Sequence, residues 1–255
     1  MKTNKGGFTL IEVSLFLAIT GLLFLGVTIG VQNSIFQQRY NDSVQSFVEF
    51  LRSAYSKVEN VQGTSGENSG KTNQALYGKL ITFGEKTTLT GESNTDDKVF
   101  MYDVIGKAKC DTGGFKDAIR TLMEDCGADV IDDKKQLLGL AESYTPKWSA
   151  VIQNTSKDKA ELFEGALLIT RHPQTGSINT YLLSNETIQV NEGRKLFQDP
   201  AIVNRFSNST DVDFCINPNG NEVSQTRADV RIRGGARNAS SIDIMPDDEN
   251  RCNRS

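Results

Sequence analysis

The chain has 255 residues, 37% of them hydrophobic, enough for one globular domain plus an accessory segment. Its formal net charge of -4 and pI near 5.2 exclude a general affinity for nucleic acid or for an anionic membrane. The four cysteines, Cys110, Cys126, Cys215 and Cys252, form no CxxC pair, which argues against a zinc site and suits disulfides in an oxidising compartment.

The N-terminus sets the compartment. Lys2 and Lys5 precede an apolar run, and no charged residue occurs from Val13 to Val31. That length is adequate for a membrane-spanning helix. The basic flank keeps the N-terminus in the cytoplasm and puts the rest of the chain outside, where disulfides form. Three readings compete. A signal peptide would use the weak small-residue site at Thr28-Ile29-Gly30. A permanent anchor would not be cut. The third reading cuts ahead of the run, between Gly7 and Phe8. Glu12 then matters, because a carboxylate in hydrocarbon is expensive without a partner. Phe8 and Glu12 are four residues apart and share a helix face, so an amine freed at Phe8 would lie beside that carboxylate. A helix N-terminus also favours an anion through its dipole.

The stretch "KGGFTLIEV" resembles the processing site of type IV prepilins and type II secretion pseudopilins. The match falls on Gly7, Phe8, Thr9, Leu10, Ile11 and Glu12, and the resemblance covers residues 1–32. It implies a leader, 1–7, removed after Gly7 by a prepilin peptidase that also methylates the Phe8 amine. S-adenosylmethionine would be the peptidase's cosubstrate, and this chain would need no cofactor. Residues 8–31 would be a transmembrane helix first and part of a filament core later. Glu12 would pair with a neighbour's amine and fix the axial register. The implied partners are other pilin subunits, an inner-membrane assembly platform and the membrane before assembly. The implied location is the cytoplasmic membrane, single-pass with the head outside, then an extracellular or periplasmic filament. Pilins and pseudopilins share the motif, so it does not separate them.

Phe36, Tyr40, Val44, Phe47, Leu51, Tyr55, Val58 and Val61 recur at three- and four-residue steps among polar residues. The period predicts an amphipathic helix over 32–61, continuing from the apolar segment and suited to packing on a globular domain. The polar Gly/Ser/Asn stretch 62–74 ends it and opens a head, 62–255. Strands are predicted over 76–83 and 99–105, helices over 115–125 and 133–142, and a strand over 148–153. "GALLITRHPQTGSINTYLLSN" reads as a hairpin, two apolar strands around a Pro-Gln-Thr-Gly turn. Further strands are predicted near 212–216, 228–233 and 240–244. The sum is an α+β protein, a long N-terminal helix packed on an antiparallel sheet. The pilin resemblance implies the same shape.

Four cysteines allow three connectivities. The local pairs Cys110–Cys126 and Cys215–Cys252 are preferred, each contributing about 3–4 kcal/mol by loop entropy. The pilin resemblance also implies a disulfide near the C-terminus.

Catalytic and metal signals are weak. His172, the sole histidine, sits in a turn, and no GxSxG, P-loop or HExxH motif occurs. The acidic clusters at Asp96-Asp97, Asp132-Asp133 and Asp247-Asp248-Glu249 lack EF-hand spacing and read as solvated turns. The expectation is a non-enzyme without a metal. One charge pattern stands out. Arg227, Arg231 and Arg233 share strand parity, with Arg237 beyond, while Ala228, Val230 and Ile232 point the other way. Such a face would contact anions such as a nucleic-acid backbone. It loosely resembles the arginines of minor pilins in DNA-uptake systems. Overall acidity and Asp229 count against it, and a solvated face or subunit salt bridges are favoured. Together these features point to a structural subunit, a minor pilin by the size of its head, with adhesion, motility or DNA uptake left to that head. A secretion pseudopilin and an unassembled, membrane-anchored binding protein are the alternatives.

Overall fold

The computed structural model describes residues 9–60, 74–83, 98–108, 118–130, 137–153, 162–172, 174–184, 196–207, 211–217, 227–246 and 251–253. The long helix α1 is Leu10–Glu59. The chain divides into two compact units, residues 1–42 and 43–255. The described part of the first is almost entirely helix, with its apolar side chains exposed.

In the second unit, α1 buries Val44, Phe47, Val48, Leu51, Ala54, Tyr55 and Val58. This is the stripe that the three- and four-residue spacing predicts. Phe36, at the start of that pattern, is exposed, and Val61 lies outside the described residues.

The β structure forms two antiparallel sheets rather than the single sheet expected. The larger contains β1 (Gln74–Phe83), β2 (Val99–Lys107), β3 (Ala141–Tyr144), β5 (Gly165–Arg171) and β6 (Ile178–Ser184), in the order β3-β2-β1-β5-β6. The smaller contains β4 (Val151–Gln153), β7 (Val212–Asn217), β8 (Ala228–Ile232) and β9 (Ile242–Ile244), in the order β4-β7-β8-β9. The apolar runs of β1 and β5 have a simple cause: the larger sheet is covered on both faces. Leu80, Phe100, Tyr102, Val104, Ala166 and Leu168 belong to a core with Leu122, Met123, Leu196, Phe197, Val203 and Phe206. Alternate residues point the other way. On that side the Phe83 ring meets Phe47 of α1, centroids 6.4 Å apart. The two sheets meet at the same place. Phe214 of β7 lies 5.5 Å from Phe47, 5.1 Å from Phe83 and 4.8 Å from Phe163.

Polar contacts fix α1 further. Thr180 donates its one hydroxyl proton to the Ala236 carbonyl (2.8 Å), so Tyr55 must be the donor in their 2.7 Å bond. Burial pushes the Tyr55 hydroxyl up to about 12. Tyr144 of β3 stacks on Phe50 at 4.7 Å and bonds Ser46 at 2.7 Å. Lys57 reaches Glu142.

Several local expectations are corrected. Over 133–142, the described part, 137–142, is not helical, and Ala141–Tyr144 is strand β3. The reason is Asp103: its N–H donates to the Leu140 carbonyl (3.2 Å), and its Oδ2 accepts the Leu140 N–H (3.0 Å), holding this segment beside β2. Over 115–125, Ala118–Arg120 is α-helical and Thr121–Asp125 is a π-helical turn. Over 148–153, Lys147–Ser149 is a 3-10 turn with Trp148 at φ 59° and Ser149 at φ 56°, and the strand starts only at Val151. The hairpin forms as β5–β6, with Gly176 at φ 69° closing its turn. Gly78 of β1 is required by close approach, since a Cβ there would stand 2.2 Å from the Ile169 carbonyl oxygen.

Lys79 and Asp103 face each other across β1 and β2 as a buried ion pair, with side chains 5% and 12% exposed. Removing one partner strands the other charge. Asp103→Leu is expected to cost about 3–5 kcal/mol of stability by urea denaturation of the full chain in detergent. Lys79→Met combined with Asp103→Leu should cost less than that single change. A double variant as unstable as the sum of the singles would show that the pair is not coupled.

Candidate assembly site and the arginine face

The first candidate site is the start of α1. The Thr9 N–H donates to Glu12 Oε2 (2.9 Å), and the Thr9 hydroxyl donates to the same oxygen (3.0 Å). In return the Glu12 N–H reaches Thr9 Oγ1 at 3.3 Å. The first helical bond runs from the Val13 N–H to the Thr9 carbonyl, 3.2 Å. This is a capping box: the Thr satisfies an amide of the first turn, and the Glu satisfies the amide of the Thr. Reading Glu12 only as a charge missed it. The signal was present as Thr-x-x-Glu ahead of an apolar run. Gly7 and Phe8 lie outside the described residues.

Beyond the box, Leu10–Thr28 is 19 residues long and apolar enough to cross a membrane; a signal sequence near an N-terminus passes the same test. Its hydroxyls are satisfied within the helix. Ser14 donates to Ile11 O (3.0 Å), Thr20 to Phe16 O (2.8 Å) and Thr28 to Phe24 O (2.8 Å). These polar side chains therefore present no unmet donor to an apolar surrounding.

The second candidate is the arginine face of β8. Cross-strand register puts Arg231 opposite Asp213 of β7 and opposite Asp243 of β9. Arg231 Nε donates to Asp213 Oδ1 at 2.5 Å, and Arg231 Nη2 lies 3.5 Å from Asp229 Oδ2. Arg233 pairs with Asp243 at 2.8 Å. Arg227 is buried, and Arg237 is exposed. The face is therefore a ladder of alternating sign rather than a basic strip. Arg251, from a 3-10 turn over Arg251–Asn253, adds a guanidinium bond to Asp213 Oδ2 (2.9 Å) and a backbone N–H to Asp229 Oδ2 (3.1 Å). Asp229 was visible within the strand, but Asp213 and Asp243 come from other strands and join the face only through the cross-strand register. Burial pushes the Asp229 carboxyl up, and Asp213 pushes it the same way. The Arg251 N–H, Arg231 and Arg251 oppose them. Arg231 is raised mainly by its bond to Asp213.

A disulfide joins Cys215 to Cys252, as preferred from sequence. Cys126 is also disulfide-bonded, and Cys110 lies outside the described residues. His172 is a turn residue whose Nδ1 accepts the N–H groups of Gln174 (3.3 Å) and Thr175 (3.2 Å). The three acidic clusters lie outside the described residues. Among the described residues no group of three or more His, Cys, Asp or Glu could hold a metal ion.

No family model, no curated protein and no solved structure matches this chain.

The ladder has two measurable consequences. Asp213→Asn leaves Arg231 and Arg251 without their shared anion and should cost about 3 kcal/mol in urea denaturation. Arg233→Gln breaks an exposed pair and should cost under about 1 kcal/mol. Asp229 has the opposite sign. With its native carboxyl raised, the stability it contributes is present below the unfolded Asp value, near ~3.9. That contribution is lost as pH rises through the native value. The stability of Asp229→Asn relative to wild type should therefore improve as pH rises from below that range to neutrality. An unchanging difference would refute the raised carboxyl.

Proposed function

We propose that this chain is a structural subunit of a type IV pilus-like filament, of minor-pilin rank, cut after Gly7 and assembled through its N-terminal helix. The observation that carries this reading is the start of α1. A Thr9–Glu12 box opens a 19-residue apolar segment directly after Gly-Gly-Phe, and none of that segment is buried. Such a helix must find an apolar surrounding, first lipid and then the helices of other subunits. A carboxylate at its N-terminal turn can be accommodated at either stage. In lipid it lies at the interface end of the helix, satisfied by Thr9. In a filament it meets the Phe8 amine of a neighbour.

The partners of this reading are a prepilin peptidase, an assembly platform in the inner membrane and other pilin subunits. Its route runs from the cytoplasmic membrane, head outside, to an extracellular or periplasmic filament. A secretion pseudopilin shares every one of these features. The head would carry any adhesive, motility or DNA-uptake role. Nucleic-acid contact is the least supported of these, because Arg231 and Arg233 are engaged by carboxylates of their own sheet.

The test is intact mass and N-terminal sequencing of the protein from its own host, with and without the peptidase. The expected mature chain begins at methylated Phe8 and is absent without the enzyme. A chain still beginning at Met1, or one cut near Gly30, overturns the reading and leaves an anchored or secreted binding protein. Glu12→Leu is expected to remain in the membrane at wild-type level while disappearing from sheared filaments.

A further inference from the structure

Contacts from the turn Arg251–Asn253 reach both β7 and β8. Cys252 is bonded to Cys215 of β7, the Arg251 N–H reaches Asp229 of β8, and the Arg251 guanidinium reaches Asp213 of β7. Cys215 and Asp229 are direct cross-strand partners, so the disulfide and the carboxylate lie side by side on one face of the sheet. Asp229 has no exposed surface, and its Oδ1 has no hydrogen-bond partner among the described residues. A charge buried with part of its acceptor capacity unmet opposes whatever covers it.

We propose that residues 251–253 are a redox strap, in which the Cys215–Cys252 disulfide holds closed a cover that the charge on Asp229 pushes open. The inference is independent of the filament reading. Reduction takes a dithiol. One thiolate attacks a sulfur of the disulfide, and the second resolves the mixed disulfide. Two electrons and two protons pass to Cys215 and Cys252, and the reductant leaves as its own disulfide. Reduction releases Cys252 from Cys215 of β7, and opening the turn lets water reach Asp229. The groups whose fields act on Asp229 are Asp213 of β7, Arg231 of β8 and Arg251 of the turn; Asp243 of β9 lies opposite Arg231, and Gln153 of β4 is neutral. Asp213 adds to the push, and the two arginines moderate it. The direction of the Asp229 titration agrees: its neutral form is the one the closed turn favours.

Neutralising Asp229 should therefore strengthen the disulfide. The full chain in detergent is equilibrated at pH 7 across reduced and oxidised dithiothreitol mixtures. Differential alkylation and peptide mass spectrometry then read Cys215 and Cys252 separately from the other cysteines. Asp229→Asn is expected to raise the disulfide-to-dithiol ratio about tenfold at a fixed mixture, the scale of leaving a buried acceptor unmet. An Asp229→Asn ratio within twofold of wild type, or below it, overturns the proposal. Should a variant fail to fold, amide exchange at Arg251 in the wild type decides. Protection of that N–H must be lost on reduction, and protection that survives reduction overturns the proposal.

Discussion

The second unit depends on one contact, the ring cluster of Phe47, Phe83, Phe163 and Phe214. These four side chains come from α1, from β1 of the larger sheet, from the segment entering β5 and from β7 of the smaller sheet. Phe47, Phe83 and Phe214 are almost completely buried. Edge-to-face and tilted packing gives such rings more than the area they bury. The cluster joins both sheets to α1, beside the other apolar residues that α1 buries. The polar bonds around it are directional. Tyr55 to Thr180 and Ser46 to Tyr144 set the rotation of the helix, and each requires the rings to have excluded water first.

The period along 36–61 predicted this arrangement well, since a helix needs its buried residues every three or four places and these occur from Val44 to Val58. Strands β1, β2, β5 and β6 were legible for a different reason. Each is apolar on both faces and bounded by polar residues, and the hairpin carries its turn residues in order. What could not be read was the division into two sheets. Local alternation says that Phe214 faces inward, but not whether it faces the partner of β1 or a separate layer. That choice is made by long-range pairing, β4 with β7 across more than fifty residues of chain. The helix expected over 133–142 fails in its described part, 137–142, for the same reason. Asp103, far away in sequence, offers both a donor and an acceptor to Leu140, and local propensity yields to it. Trp148 and Ser149 at positive φ were illegible too, because neither residue type advertises a left-handed turn.

The arginine face was legible in position but not in meaning. Strand parity placed Arg227, Arg231 and Arg233 together and the apolar residues opposite, which the burial of Val230 and Ile232 bears out. The same parity also places Asp229 of β8 on that face, and cross-strand register adds Asp213 of β7 and Asp243 of β9. Counting charges along one strand gave a basic strip, whereas counting them across the register gives near balance. The unit of account in a sheet is the cross-strand pair. The near balance shows how a mildly acidic chain can place arginines together on one face.

The same shift, from single residues to pairs, bears on Glu12. A carboxylate can accept about four hydrogen bonds over its two oxygens. Both Thr9 donors fall on Oε2, which leaves the capacity of Oε1 for another donor. In the proposed filament a neighbour's amine would therefore not have to compete with the cap. It could add to a carboxylate already fixed in one rotamer by Thr9, with the entropy of ordering that side chain spent before the subunits meet. A free glutamate at this position would have to be immobilised by the neighbour itself, at some loss of affinity. On this view the cap and the register contact are successive uses of one geometry. Thr9 would then matter to assembly as a positioning residue.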